Sequence, residues 1–248
     1  MQKVLVTGAS AGIGRETAVA FARQGAQVVI NYKSSEADAQ KTLRLVESAG
    51  GKGFLAKADV SNEAAAAGLV REAERLMHGL NVLVNNAGIT RFIPFADLDA
   101  ATADIWDVLY KNNVESIFFC CREAAKVMPE GSCIVNLASV AGMLPRGSSI
   151  PYAVSKAAII HMTKCLATVL APKIRVNSVS PGIIQNTHWN EVNPSFNPDK
   201  YRARAETVPM KRLGEPGDVA AAILYLASGQ ASYITGANLP VEGGSSVE

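Results

Sequence analysis

Two kinds of hydrophobic pattern alternate along the chain. Short runs in which nearly every position is apolar lie near residues 3–7, 27–31, 53–57, 81–84, 132–138, 174–179 and 237–240. Lys3-Val-Leu-Val-Thr7 is representative, and such runs suit strands buried on both faces. Between them, residues 12–24, 35–49, 62–78, 101–128, 151–171 and 216–228 read as helices. The stretch Arg15 to Gln24 is ended by Gly25, and Ala64–Ala67 is a run of the best helix former. The alternation predicts an α/β fold, a doubly wound parallel sheet of about seven strands with helices on both faces. No repeat or linker interrupts it, so residues 1–248 are expected to form a single domain. Residues 183–209, rich in Asn and Pro, carry neither pattern, and long loops in compact domains are usually functional or disordered.

Composition narrows the function classes. With 48% apolar residues among 248, the chain can bury one large core. A net charge of +2 without any block of five like charges gives no electrostatic footing for nucleic acid or an anionic membrane. No stretch reads as a membrane span of ~18 apolar residues. With a strand expected to start at residue 3, no signal peptide is expected. Cys120, Cys121, Cys133 and Cys165 lack metal-type spacing, so no metal is expected. They are expected to be reduced and buried, as in the cytoplasm.

The most informative chemistry is Pro151-Tyr152-Ala-Val-Ser-Lys156, with Tyr152 thirteen residues past Ser139. A helix begun at Pro151 puts Tyr152 and Lys156 one turn apart on one face. A tyrosine with an ordinary pKa near ~10 needs a drop of about three units, or ~4 kcal/mol, to work near neutral pH. A lysine ammonium ~4 Å away at an effective dielectric of ~20 supplies that much. A surface Tyr and Lys on an ordinary helix is the bland alternative, and for an isolated pair it would be the better reading. Elsewhere, the first strand meets Gly8-Ala-Ser-Ala-Gly-Ile-Gly14 and then a helix. Such a turn aims backbone N–H groups and the positive helix end at an anion, here a dinucleotide pyrophosphate. Asp59, after the third strand, is placed to accept from an adenine amino group. Asn85-Asn86-Ala87-Gly88, after the fourth, can lie along the adenosine half.

Together, Thr7-Gly8-xxx-Gly12-Ile13-Gly14, Asn85-Asn86-Ala87-Gly88, Ser139, Tyr152-xxx-Lys156 and Pro181-Gly182 resemble the short-chain dehydrogenase/reductase family in order and spacing, from residue 3 to about Gly244. The resemblance implies a Rossmann fold and a catalytic tetrad. Tyr152 would pass a proton to or from the substrate oxygen. Lys156 would lower the Tyr152 pKa and bind the nicotinamide ribose. Ser139 would hydrogen-bond the substrate oxygen. Asn113, chosen over Asn112 by its spacing to Ser116, would hold a proton-relaying water. Ser10, Val60, Ile184 and Asn186 join the expected cofactor contacts, and 183–209 becomes a substrate lid. Met143, Leu144 and Arg146 should face substrate, with His188 and Trp189 in the lid. The family habit also implies a homotetramer or dimer.

Cofactor choice turns on Val28-Val-Ile-Asn-Tyr-Lys-Ser-Ser35, which lacks the acid that would repel a 2′-phosphate. Asn31 stands in its place and Lys33 can meet that phosphate, so NADP(H) is favoured with NAD(H) possible. Asn186 stands where the family pattern puts threonine, and Thr187 follows. Either the loop carries an extra residue or Asn186 takes over the contact. Three functions remain open: interconversion of a carbonyl (ketone, aldehyde or sugar) and an alcohol; reduction of a 3-oxoacyl thioester, for which Lys126 and Lys173 hint at a carrier-protein patch; and a non-catalytic dinucleotide sensor, whose signature would be a lost tetrad residue.

Overall fold

The structure is a computed structural model and describes residues 1–187 and 197–247. Its strands are β1 (Lys3–Val6), β2 (Gln27–Tyr32), β3 (Lys52–Lys57), β4 (Val82–Asn85), β5 (Ser132–Leu137), β6 (Ile174–Pro181) and β7 (Asn238–Val241). They form one sheet in the order β3-β2-β1-β4-β5-β6-β7, with every neighbouring pair parallel. The helices are α1 (Gly12–Ala22), α2 (Glu36–Ser48), α3 (Glu63–Met77), α4 (Ala103–Tyr110), α5 (Ser116–Val127), α6 (Ile150–Leu170), α7 (Pro198–Thr207) and α8 (Pro216–Ala227). The expected Rossmann fold is present.

The apolar strand runs are explained by two cores, one on each sheet face. Val4, Val6, Val28, Ile30, Val84 and Val135 pack with Ala18 and Phe21 of α1, Val46 of α2 and Ile223 of α8. The alternate residues Leu5, Val29, Leu83 and Ile134 pack with Leu69 of α3, Ile117 of α5 and Ile159 of α6. Each fully buried Leu, Ile or Val contributes about 1.5–3 kcal/mol relative to leaving it in water. The strand order reverses between β1 and β4, which opens a crevice at the carboxyl ends of the strands.

Five sequence expectations need correction. Residues 101–128 are two α-helices joined by a π turn at Lys111–Glu115. There Asn112 Nδ2 donates to Val108 O (2.8 Å) and Ser116 Oγ to Asn112 O (2.6 Å), side-chain bonds that compete with the helical ladder. The region 183–209 includes the regular helix α7. α6 begins at Ile150, capped by Ser149, whose Oγ accepts from Tyr152 N–H at 3.3 Å, so Pro151 is its second residue. α6 is also long and apolar enough by length and composition to cross a membrane, with mean hydropathy 1.3 over 18 residues. Lys156 and Lys164 are its only charges, and it lies on β6 with Ile159, Thr163 and Leu166 buried. Finally, Cys120, Cys121 and Cys133 are buried, but Cys165 sits on the exposed side of α6; all four are free thiols.

Candidate active site

The carboxyl ends of β1, β2, β4, β5 and β6 border a single cleft of about 1100 Å³. Its floor is stitched by side chains that the motifs supply. Thr7 Oγ1 accepts the N–H groups of Asn86 and Ala87, each at 3.0 Å. Asn86 Nδ2 donates to Thr7 O and Gly8 O at 2.9 Å, and Gly8 N–H donates to Asn31 Oδ1 at 3.1 Å. The ends of β1, β2 and β4 are thereby held in one register. Gly14 is the expected cofactor residue that does not line the cleft. A Cβ there would come within 2.5 Å of Asn86 Nδ2 and Gly8 O, so its role is to let the loop close. At Gly8, φ is +60° and a Cβ would lie 2.9 Å from Ala87 Cα.

This loop fits a dinucleotide. α3 and α6 are capped by Asn62 and Ser149 side chains, but the α1 N-cap is Ala11, which has no acceptor to offer. The first-turn N–H groups of α1 are therefore left for an anion. Around the adenosine end lie Arg15, Lys33 and Lys41, against Asp38 and Asp59. Arg15 contacts Asp38 at 3.2 Å, and Lys33 contacts Asp59 at 2.7 Å. Burial raises the Asp59 carboxyl, but hydrogen bonds from Lys33 and Ser61 outweigh it and hold the pKa below its ordinary value. Asp59 and Lys33 thus occupy each other, whereas the sequence reading assigned them separately to adenine and phosphate. Asn31 is also reassigned. It is buried, and its Nδ2 donates to the carbonyls of Tyr32, Ala56 and Ala58, so the whole amide braces β2, β3 and the glycine loop.

At the far end of the cleft, β5 delivers Ser139 and α6 delivers Tyr152 and Lys156. Ser139 Oγ caps the 3₁₀ turn Val140–Gly142 by accepting from Ala141 N–H at 3.2 Å. Gly142 packs so closely on α6 that a Cβ would lie 2.5 Å from Lys156 C. Lys156 is buried, and its Nζ donates to Leu137 O at 2.9 Å while lying 5.7 Å from the Tyr152 ring centre. Burial pushes Lys156 down to about 8. Burial also raises the Tyr152 phenol, opposed by a hydrogen bond with Ser139. In the free protein burial thus holds the Tyr152 phenol above its ordinary value, because desolvation disfavours its charged form, while the Lys156 ammonium is turned to Leu137.

Asn113 lies behind the cleft, fully buried. Its Oδ1 accepts from Ile89 N–H (2.8 Å), and its Nδ2 donates to Ile89 O (3.1 Å) and Ser155 Oγ (3.0 Å). Both amide protons are taken, so this side chain has no donor left for a relay water. A Cβ on Gly88 would sit 3.1 Å from Asn113 Oδ1 and 3.7 Å from Lys156 Nζ, which places the three together.

Met143 and Leu144 do not line the cleft. The 3₁₀ turn carries them away, and Met143 Sδ accepts from Asn238 Nδ2 at 3.3 Å. The chain returns at Arg146, Gly147 and Ser148, which do line it. Asn186 takes a left-handed φ of +58°, and its Nδ2 donates to Glu215 Oε2 at 3.2 Å. Asn186 and Thr187 both line the cleft. Thr187 is the residue beside the glycine loop, with its Cβ 3.5 Å from where a Gly12 Cβ would be. Thr187 was not assigned from sequence, although its place after Asn186 was the available signal. His188 and Trp189 lie outside the described residues.

A Rossmann sheet whose switch-point cleft joins a dinucleotide-type glycine loop to a Ser, Tyr and Lys cluster defines a class of oxidoreductase. The comparisons agree. A family model described as "Enoyl-(Acyl carrier protein) reductase" matches residues 8–246. The chain is 42% identical to a protein named a ketoacyl reductase of the granaticin polyketide synthase of Streptomyces violaceoruber, covering 97% of this chain and 94% of that one. It is 38% identical to the uncharacterised oxidoreductase YgfF of Escherichia coli, covering 98% and 100%. Among solved structures, a dehydrogenase/reductase from Sinorhizobium meliloti superposes with a TM-score of 0.91 at 33% identity, covering 99% and 95%. A short-chain dehydrogenase/reductase from Serratia marcescens gives 0.88 at 34%, covering 98% and 97%. The chain belongs to the short-chain dehydrogenase/reductase family, a family of oxidoreductases that bind NAD(P).

Proposed function

We propose that the protein reduces a carbonyl group with NADP(H), or runs the reverse oxidation of an alcohol, with Tyr152 as the proton donor or acceptor. The observation that carries this reading is the convergence of Ser139, Tyr152, Lys156 and the glycine loop on one cleft. The cofactor supplies or accepts a hydride. Ser139 hydroxyl binds the substrate oxygen and Tyr152 Oη passes the proton to it. Lys156, charged below about pH 8, stabilises the phenolate left behind. Gly8, Gly12 and the start of α1 would hold the pyrophosphate, and Thr187 the nicotinamide end. Lys41, and Lys33 once it leaves Asp59, favour the phosphorylated cofactor, with NAD(H) as the alternative. A homotetramer or dimer in the cytoplasm completes the reading.

The relative named a ketoacyl reductase favours a 3-oxoacyl thioester as one substrate class. A carrier-protein patch at Lys126 and Lys173 does not support it, since Lys126 pairs with Glu123 at 2.7 Å and Lys173 donates to Ala125 O at 3.1 Å. The sensor reading has lost its signature, because every expected tetrad residue is present. The test is consumption of NADPH, with NADH in parallel, against an acetoacetyl thioester, simple ketones and keto-sugars. Turnover of the thioester alone selects the second class, and turnover of small carbonyls the first. Tight NADPH binding without turnover of any carbonyl contradicts the reading.

A further inference from the structure

The substrate side of the cleft carries a charge imbalance that the proposed chemistry does not use. Arg91, Arg146, Arg204 and Arg212 line it, against the single carboxylate of Glu242. Arg212 is neutralised by a two-point pair with Asp218, at 2.6 and 2.9 Å. Among the described residues, the other three have no carboxylate partner. Arg91 Nη1 reaches only Thr90 O, at 2.9 Å.

Arg146 is the most specific of the three. Its Nη2 donates to the backbone carbonyl of Ser245 at 2.6 Å and to Ser245 Oγ at 3.4 Å, both neutral acceptors. Its Nε is buried and has no hydrogen-bond partner among the described residues. The Nε–Nη2 edge of a guanidinium is a planar two-donor fork that matches the two oxygens of a carboxylate or phosphate. Here half of that fork is met by a neutral group and half by nothing. A buried cationic donor without an acceptor is unfavourable until an oxygen arrives. Arg146 lines the same cleft as Ser139 and Tyr152, and the next residue, Gly147, lies against Tyr152, with a Cβ position 3.5 Å from Tyr152 Cδ1.

We infer that Arg146 is a specificity residue that binds an anionic oxygen group of the carbonyl substrate, displacing Ser245, with Arg91 and Arg204 adding long-range attraction. The inference rests on the carbonyl-reductase reading above. The anion is either a carboxylate on the carbonyl chain or a phosphate on a thioester arm.

Matched pairs separate the sources: acetoacetate against methyl acetoacetate, and acetoacetyl phosphopantetheine against acetoacetyl pantetheine. The expected result is a kcat/KM ratio of tenfold or more in favour of the charged member of one pair. In Arg146→Gln that ratio falls toward one, and in Arg146→Lys it is partly kept, since lysine retains charge but not the fork. A merely structural role for Arg146 would lower both members together and leave the ratio intact, which overturns the inference. A wild-type ratio near one in both pairs overturns it as well. Calorimetric titration of the same four compounds onto protein loaded with the oxidised cofactor, NADP+, which has no hydride to give, reads the preference without turnover. Equal binding of charged and neutral members overturns the inference, whereas a charged preference without any turnover contradicts the carbonyl-reductase reading and leaves the anion site standing.

Discussion

Burial acts on Lys156 against its own charge. A lysine pushed from 10.5 to about 8 costs the folded protein about 3 kcal/mol wherever both states keep it protonated. Between about pH 8 and 10.5 the unfolded chain holds that proton while the folded one does not, so this group makes stability rise with pH across the window. Tyr152 works the other way above its ordinary value of 10, where only the unfolded chain would release the proton. Urea denaturation of the free protein should therefore show this gain from pH 8 to near 10. At pH 7, Lys156→Met should raise stability by about 1–2 kcal/mol and Tm by several degrees while abolishing turnover. A Tm loss in that variant would count against a net cost of the buried charge. Asn31→Asp should do the opposite. Three carbonyls now bonded by Nδ2 would face a carboxylate, for a loss of about 3 kcal/mol or more. Tyr152 and Lys156 were legible from their spacing taken together with the other motifs along the chain. That Asn31 braces β2, β3 and the glycine loop was not, because its partners come from residues 8, 56 and 58 and only the folded register brings them together.

The π turn between α4 and α5 shows how an element can be read correctly in type and wrongly in continuity. The helical period runs through residues 101–128, and no Gly or Pro marks a break in 103–127. The interruption is caused by polar side chains, with Asn113 bonded to both backbone groups of Ile89. Asn113→Ala would leave the part-buried N–H and C=O of Ile89 without their side-chain partner, so a loss of about 1–3 kcal/mol is expected in denaturant melts. Hydrogen exchange at Ile89 should speed up in that variant. Unchanged protection there would mean that the loop does not depend on the π turn. The Pro-Gly loop teaches the same lesson at smaller scale. The shift between Asn186 and Thr187 was visible as a departure from the family pattern, but the left-handed φ of Asn186 was not.

For the molecule as a whole, the alternation of strand and helix was enough to give the sheet and its two cores, since the inner strands are buried on both faces while the edge strands β3 and β7 are partly exposed. Assembly is a separate matter. Tyr110 and Phe118, on α4 and α5, and Val154 and Val169 on α6 are exposed apolar side chains. The expected tetramer or dimer predicts a sedimentation mass at a multiple of 26.1 kDa, and a mass of one chain would refute it.

The central claim is that Tyr152 moves the proton in a hydride transfer. Its most direct test is single-turnover oxidation of bound NADPH by a carbonyl substrate that the enzyme accepts, followed in the wild type and in Tyr152→Phe. Loss of the phenol should slow the chemical step by about 10²–10⁴-fold with NADPH affinity kept. A Tyr152→Phe variant that oxidises NADPH at the wild-type rate would show that the proton comes from elsewhere and would contradict the assignment.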